Sequence, residues 1–389
     1  MARRPRRTVL DLLDSKEMIV VCGSGGTGKT TVAAALGAQA AVALGGRVLV
    51  LTVDPARRLA TALGLGTLGN TAVRVPAKLL GSKRGELWVA MLDTKAGWDE
   101  LIRRHAPDPA LRDRVLANPL YSNITGRFVN SHDYIAMEQL HDLHASGQYD
   151  LVVIDTPPSR NALDLLDAPR RMREFFGSSL LKWLTVPYRS KLFTVASKPF
   201  NQIADRILGS RFLQDIAEFF VLFRTMEAGF VARATEVERL LVDDRTAFVV
   251  VSTLETAPAR EARFLIDELR HRDMTLGALV LNRILPPDVR QPAAAKAAGA
   301  VAEAADDAAF VAALATAAGV GRARVRHVLS QLGEHFADVQ SAATREAERR
   351  RDLEPLAPLV AAVPLLGVDV HDVERLLELG AMLAAGSAG

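Results

Sequence analysis

The sequence predicts an α/β protein: a doubly wound, mostly parallel sheet that carries an inserted all-helical subdomain. Three observations lead there. Short apolar runs rich in β-branched residues alternate with helical stretches along most of the 389 residues. A glycine-rich turn joins the first of these runs to an Ala-rich helical run. From Ala168 to Leu241 the strand pattern stops, and apolar residues recur at helical spacing instead. With 49% hydrophobic residues the chain can bury a sizeable core, in two domains or in one large domain with insertions. The expected boundaries are a basic tail at 1–17, a core in two parts at 18–167 and 242–389, and the helical insertion at 168–241. Within the second core part, 286–353 reads as an Ala-rich helical segment.

The first strand is Met18 to Cys22, and the helix after the turn runs from Thr30 to Leu44. Between them Gly23-Ser24-Gly25-Gly26-Thr27-Gly28-Lys29-Thr30, followed by Thr31, fits G-x-x-x-x-G-K-[ST] in strand–loop–helix order, the setting of a P-loop NTPase. The residue types follow from the chemistry. Consecutive backbone N–H groups can wrap phosphate oxygens only where side chains do not block them, hence Gly23, Gly25, Gly26 and Gly28. The helix start adds its positive dipole end. Lys29 is placed to reach the β- and γ-phosphates, and the Thr30 hydroxyl to ligate Mg²⁺. ATP and Mg²⁺ are therefore the expected ligands.

Farther along, Arg47 to Val53 reads as a strand that ends in Asp54-Pro55-Ala56-Arg57-Arg58-Leu59. An acid at that strand end lies in the crevice where open α/β sheets bind ligands, so Asp54 is a candidate to orient water or assist Mg²⁺; a helix cap before Pro55 is the other reading. Glu86 to Asp93 is a strand, and Thr94 to Gln148 is largely helical with breaks at Pro107, Pro109 and Pro119. Tyr149 to Asp155 is a buried strand whose terminal carboxylate, ahead of Thr156-Pro157-Pro158, has the Walker B arrangement and would hold the Mg²⁺ shell opposite Thr30.

In the helical insertion the aromatic clusters Phe175-Phe176, Leu180-Leu181, Trp183-Leu184, Phe212-Leu213, Phe219-Phe220 and Phe223 leave two readings open: internal packing, or a groove for an amphipathic helix. Thr246 to Thr253, Pro258 to His271 and Gly277 to Arg283 resume the alternation as strand, helix and strand. Gln291 to Asp307 is low in complexity and reads as mobile, whereas the segment from Arg322 to Glu348 reads as an exposed charged helix. A short strand at Leu359 to Leu366, interrupted by Pro364, and a helix at Val370 to Leu383 close the chain.

A net charge of +3 carries no nucleic-acid signature, and no apolar stretch is long enough for a membrane span. Arg3-Arg4-Pro5-Arg6-Arg7 is followed by Asp11 and Asp14 rather than an apolar run, so it reads as a solvated tail and not as a secretory signal. Cys22 is the single cysteine, which rules out an internal disulfide or a multi-thiol metal site within one chain; the expected compartment is cytoplasmic.

Three motifs together resemble the ArsA-type anion-transporting ATPases, which include the arsenite-pump ATPase and the ATPase that targets tail-anchored membrane proteins: the loop from Gly23, Asp-Pro-Ala-Arg-Arg-Leu from Asp54, and Asp-Thr-Pro-Pro-Ser-Arg-Asn-Ala-Leu-Asp-Leu-Leu from Asp155. The resemblance runs from Met18 to about Gly380, with 286 to about 353 longer than the family's usual connection. It implies that Asp54 is the switch I acid that orients the attacking water. It further implies that Asp155 opens switch II, that Asn282 with Arg283 recognises adenine, and that Pro364-Leu365 flanks the base. It implies face-to-face dimers around two nucleotides, with the helical subdomain meeting a protein client such as a hydrophobic helix of a membrane protein.

Two departures stand out. Where the family carries a lysine that reaches across the dimer, this chain has Ser24. Loss of such a charge is worth on the order of 10³ or more in rate when the charge is catalytic. Three outcomes stay open: slow turnover, substitution by Arg57 or Arg58, or a heterodimer with a paralogue that keeps the lysine. The second departure is Cys22 alone, which disfavours soft-metalloid binding and an interfacial zinc site. The leading expectation is a client-coupled ATPase, and the alternative a weakly hydrolysing regulatory subunit. A DNA-positioning or cytoskeletal ATPase ranks last, for want of a basic face.

Overall fold

The computed structural model describes residues 7–53, 59, 63, 69, 71–92, 94–118, 121, 131–157, 159–178 and 219–385. Its strands are β1 (Met18–Gly23), β2 (Gly46–Thr52), β3 (Val73–Arg74), β4 (Gly85–Met91), β5 (Leu151–Asp155), β6 (Thr246–Ser252), β7 (Leu276–Ile284) and β8 (Val360–Pro364). They form one sheet in the order β3-β4-β2-β5-β1-β6-β7-β8. Neighbours are parallel except β3 with β4. The central strands β1, β5 and β6 are buried along their whole length, as expected where helices cover both faces.

Ahead of β1 lies α1 (Val9–Asp14), and α2 (Lys29–Ala43) follows it; α3 (Ala77–Leu80) precedes β4. Between β4 and β5 run α4 (Thr94–His105), α5 (Pro109–Ala117) and α6 (Ser131–Ala145), and between β5 and β6 run α7 (Ser159–Gly177) and α8 (Glu227–Val242). After β6 comes α9 (Thr256–His271); α10 (Pro292–Glu303), α11 (Ala308–Ala318) and α12 (Arg322–Leu353) separate β7 from β8, and α13 (Val373–Ala385) is last.

On one face α2 packs on the sheet through small residues, among them Ala33, Ala34, Ala35 and Ala38, while α1 and α13 join the same cluster through Leu12, Leu13, Leu376 and Leu379. A Cβ at Gly37 would meet Val50 Cγ2 at 2.3 Å, so α2 lies as close to β2 as a side-chain-free position allows. The other face carries α4, α6, α7, α8 and α9 over an aromatic layer of Trp98, Tyr134, Phe176, Phe219, Phe223 and Phe230, continuous with Met18, Val20, Leu49 and Val152 of the strands. Phe223 and Phe230 lie with ring centroids 5.1 Å apart. These described rings are internal, with Phe175 and Phe220 partly buried at the edge of the same cluster. Residues 180, 181, 183, 184, 212 and 213 lie outside the described set. Within this layer Arg233 bonds Glu138 at 3.1 Å and also pairs with Asp142, while burial pushes the Glu138 carboxyl up to about 6.

Some local expectations change. Within Gln291 to Asp307, residues 292–303 form the helix α10: alanine is the best helix former, and repetitive composition alone did not reveal that. α10 also docks on α12, where Gly333 leaves room for Ala302. Pro109 does not break a helix but opens α5 at N1, behind Asp108, whose side chain accepts the Leu111 N–H at 2.7 Å. The two-residue edge strand β3 has no sequence pattern to announce it. The boundary expected between 167 and 168 falls inside α7. No single helix among the described residues is long and apolar enough to cross a membrane.

Candidate nucleotide-binding site

Parallel pairing brings the chemistry to one rim. In the register Val21 and Thr52 both face Asp155, and Gly23 faces Val251, so the carboxyl ends of β1, β2, β5 and β6 meet where the strand order reverses. Gly23 has φ 151°, and a Cβ there would stand 2.1 Å from the Val251 carbonyl oxygen; only glycine ends β1 this close to β6. Ser24 is half-buried, while Gly25 and Gly26 are exposed at the loop tip. The Ser24 carbonyl ties the loop together, accepting the Thr27 hydroxyl and the Lys29 ammonium, each at 2.9 Å.

Gly28, at φ 92°, is the N-cap of α2 and carries no capping side chain. The first turn of a 15-residue helix is thus presented to an anion, with Lys29 buried at its start and Thr31 half-buried behind it. Above Gly28 lies Asn282, whose Nδ2 would be only 2.3 Å from a Cβ at that glycine. Asn282 Nδ2 donates to the Thr27 carbonyl at 2.8 Å and its Oδ1 accepts the Arg283 N–H at 3.0 Å; Arg283 Nη1 reaches the Gly26 carbonyl at 3.3 Å. Two consecutive residues of β7 therefore hold the loop from outside. Pro364 pairs beside Ile284, and the Leu365 N–H donates to the Ile284 carbonyl at 2.9 Å, with the Leu365 side chain exposed.

The acid side of the site is Asp155. It is fully buried, and its Oδ2 accepts the Thr30 hydroxyl at 2.7 Å and the Thr52 hydroxyl at 2.9 Å. Hydroxyl and carboxylate oxygens are a hard donor set that suits Mg²⁺, which typically takes few protein ligands and completes its shell with water and phosphate. The residues present thus fit both groups: Lys29, the loop amides and the α2 N-terminus a phosphate chain, Thr30 and Asp155 the cation. Next to them Cys22 is an inert core residue, its thiol pushed up to about 12 by burial.

Of the sequence-predicted residues, the structure brings Gly23 through Thr31, Asp155, Asn282, Arg283, Pro364 and Leu365 to this rim. Asp54, Arg57, Arg58 and Pro158 lie outside the described residues. Sequence reasoning missed Thr52, which shares the Asp155 oxygen; its signal was its place at the end of β2, opposite Asp155.

A sheet with this order and this rim defines a phosphate-loop nucleotide-binding protein. The model of the anion-transporting ATPase family matches residues 16–303, and the chain belongs to that family. Among similar proteins, the putative arsenical pump-driving ATPase 2 of Aquifex aeolicus is 23% identical over 277 residues, covering 68% of this chain and 79% of that protein. ATPase GET3 of Malassezia globosa is 28% identical over 289 residues, covering 72% and 77%. An ATPase ASNA1 homolog of Trypanosoma cruzi is 26% identical over 312 residues, covering 73% and 79%.

Proposed function

We propose that the chain is a Mg²⁺-dependent ATPase switch that works as a cytoplasmic dimer and couples turnover to binding of a protein client. The observation that carries this reading is the convergence of the Gly23–Thr30 loop, the Thr30–Asp155 pair and the Asn282 clamp on one rim. In it Lys29 releases the Ser24 carbonyl to meet the phosphates, and the loop amides hold them in line. Bound Mg²⁺ would neutralise charge building on the transferred phosphoryl group. Asp155 and Thr30 fix that cation's place, and Asp54 orients the attacking water. Asn282, Arg283, Pro364 and Leu365 take the base side. Residues 18–167 and 242–389 form the ATPase core and 168–241 the helical subdomain, with α7 running across the first boundary; of residues 1–17, read as a tail, α1 instead packs on the core through Val9, Leu12 and Leu13. The client reading rests on the family and on relatives named as pump-driving and GET3-type ATPases; the described aromatic rings are core and add nothing to it.

A second reading, favoured by Ser24 in place of the family's lysine, is a weakly hydrolysing subunit paired with a paralogue that keeps it. Steady-state ATP hydrolysis by the purified chain, with Asp54→Asn as control and nucleotide binding in parallel, separates the two. Turnover abolished by Asp54→Asn is expected for the first. Tight binding without turnover, relieved by a lysine-bearing paralogue, would replace it with the second.

A further inference from the structure

The family match ends at residue 303, before α11 and α12. The N-terminal half of α12 holds α10 and α11 through a small core of Ala305, Val311, Ala315, Val325 and Leu329. Its C-terminal half does something different: it grips the backbone that leaves the nucleotide rim. Glu346 Oε2 accepts the Leu285 N–H at 2.9 Å. One turn on, Arg349 donates to the Leu254 carbonyl and the Thr256 hydroxyl, both at 2.7 Å. A single helix thus fastens the exits of both β6 and β7.

Leu285 is three residues past Asn282, and between them Arg283 sits at φ 57°. A bulky non-glycine residue stays in the left-handed region only where its neighbours over-determine it. Here they do so on each side: Asn282 Oδ1 accepts the Arg283 N–H, the Ile284 carbonyl accepts the Leu365 N–H, and Glu346 accepts the Leu285 N–H. The strained turn in turn aims Asn282 at the Thr27 carbonyl and Arg283 at that of Gly26. The bonded path from α12 to the phosphate loop is continuous.

We propose that Glu346 and Arg349 are positioning residues for the nucleotide site, so that the helical arm α10–α12 and the bound nucleotide are energetically coupled. The proposal rests on the nucleotide reading above. Coupling of this kind is reciprocal: the arm sets ATP affinity, and ATP steadies the arm. An ordinary packing brace would instead lower thermal stability and leave affinity alone.

The test uses the full chain, titrated with Mg²⁺ and ATP in a calorimeter, as the unaltered protein, Glu346→Ala and Glu346→Gln. Glu346→Ala is expected to weaken ATP binding about five- to tenfold, and Glu346→Gln, which keeps an acceptor oxygen for the Leu285 N–H, to restore most of it. In the unaltered chain ATP should slow amide exchange in 340–353. Equal affinity in a folded Glu346→Ala, or no slowing in the unaltered chain, overturns the proposal; the exchange arm decides even where Glu346→Ala fails to fold. No ATP binding by the unaltered chain would remove the nucleotide reading itself.

Discussion

The two faces of the sheet are made of different material. Under α2 the contacts are alanine on valine, with Gly37 against Val50 and, on the outer side, a Cβ at Gly380 of α13 only 2.9 Å from the Ala35 carbonyl. Under α4, α6, α7 and α8 the contacts are ring on ring, edged by a part-buried ionic cluster in which Arg233 meets the buried Glu138. The α2 face leaves no volume to add, and this is the helix whose first turn must present itself to phosphate. The aromatic face holds the large rings together with the buried Glu138 and the half-buried His105. One face sets precision and the other stability.

The largest effect should come from the ring layer. Phe230 is fully buried and in ring contact with Trp98, Tyr134, His105, Phe176 and Phe223. Phe230→Ala is expected to lower unfolding free energy in urea by about 3–5 kcal/mol. A loss well under that would mean the layer collapses to fill the gap and is not a rigid body.

On the opposite face the sign itself is diagnostic. Replacing a mid-helix glycine by alanine ordinarily stabilises by about 1 kcal/mol. At Gly37 the new methyl would land 2.3 Å from Val50 Cγ2, and the expected outcome is a net destabilisation of about 1–2 kcal/mol. A more stable Gly37→Ala in the same urea experiment would refute the tight approach of α2.

The smallest effect separates the faces by pH. Burial, then Arg104 and Arg233, hold His105 below its ordinary 6.5. Among the described residues its buried Nε2 makes no hydrogen bond. The unfolded chain therefore takes up the proton more readily than the folded one, and stability falls as pH drops through 6.5. Glu138, raised to about 6 from 4.5, works in the opposite sense, favouring the fold as pH drops across that window. His105→Gln removes only the first contribution. Its urea midpoint should decline less than that of the unaltered protein between about pH 7.5 and 5.5, and parallel declines would show that His105 is not linked to folding.

What the sequence could disclose follows the same division. The loop from Gly23 to Thr30 was legible because phosphate binding constrains backbone and side chain together, and Asp155 because an acid ends a wholly apolar strand. Thr52 was not, since a threonine at a strand end is commonplace until the register sets it opposite Asp155. Asn282 could be assigned only through resemblance: its contact with Thr27 spans 255 residues of sequence and no local pattern encodes it. The aromatic pairs stayed ambiguous because helical spacing is the same whether a face meets the core or a groove. Glu346 looked like one more solvated charge, for the backbone N–H it meets belongs to a distant turn.

Binding of ATP with Mg²⁺ at the rim built from Gly23–Thr30 and Asp155 is the proposal on which the others depend. The most direct measurement is calorimetric titration of ATP, with and without Mg²⁺, into the unaltered chain and into Asp155→Asn. Binding that Mg²⁺ tightens is expected in the unaltered chain, with loss of most of that Mg²⁺ gain in Asp155→Asn. Binding that ignores Mg²⁺, or an Asp155→Asn protein that retains the full gain, would contradict it.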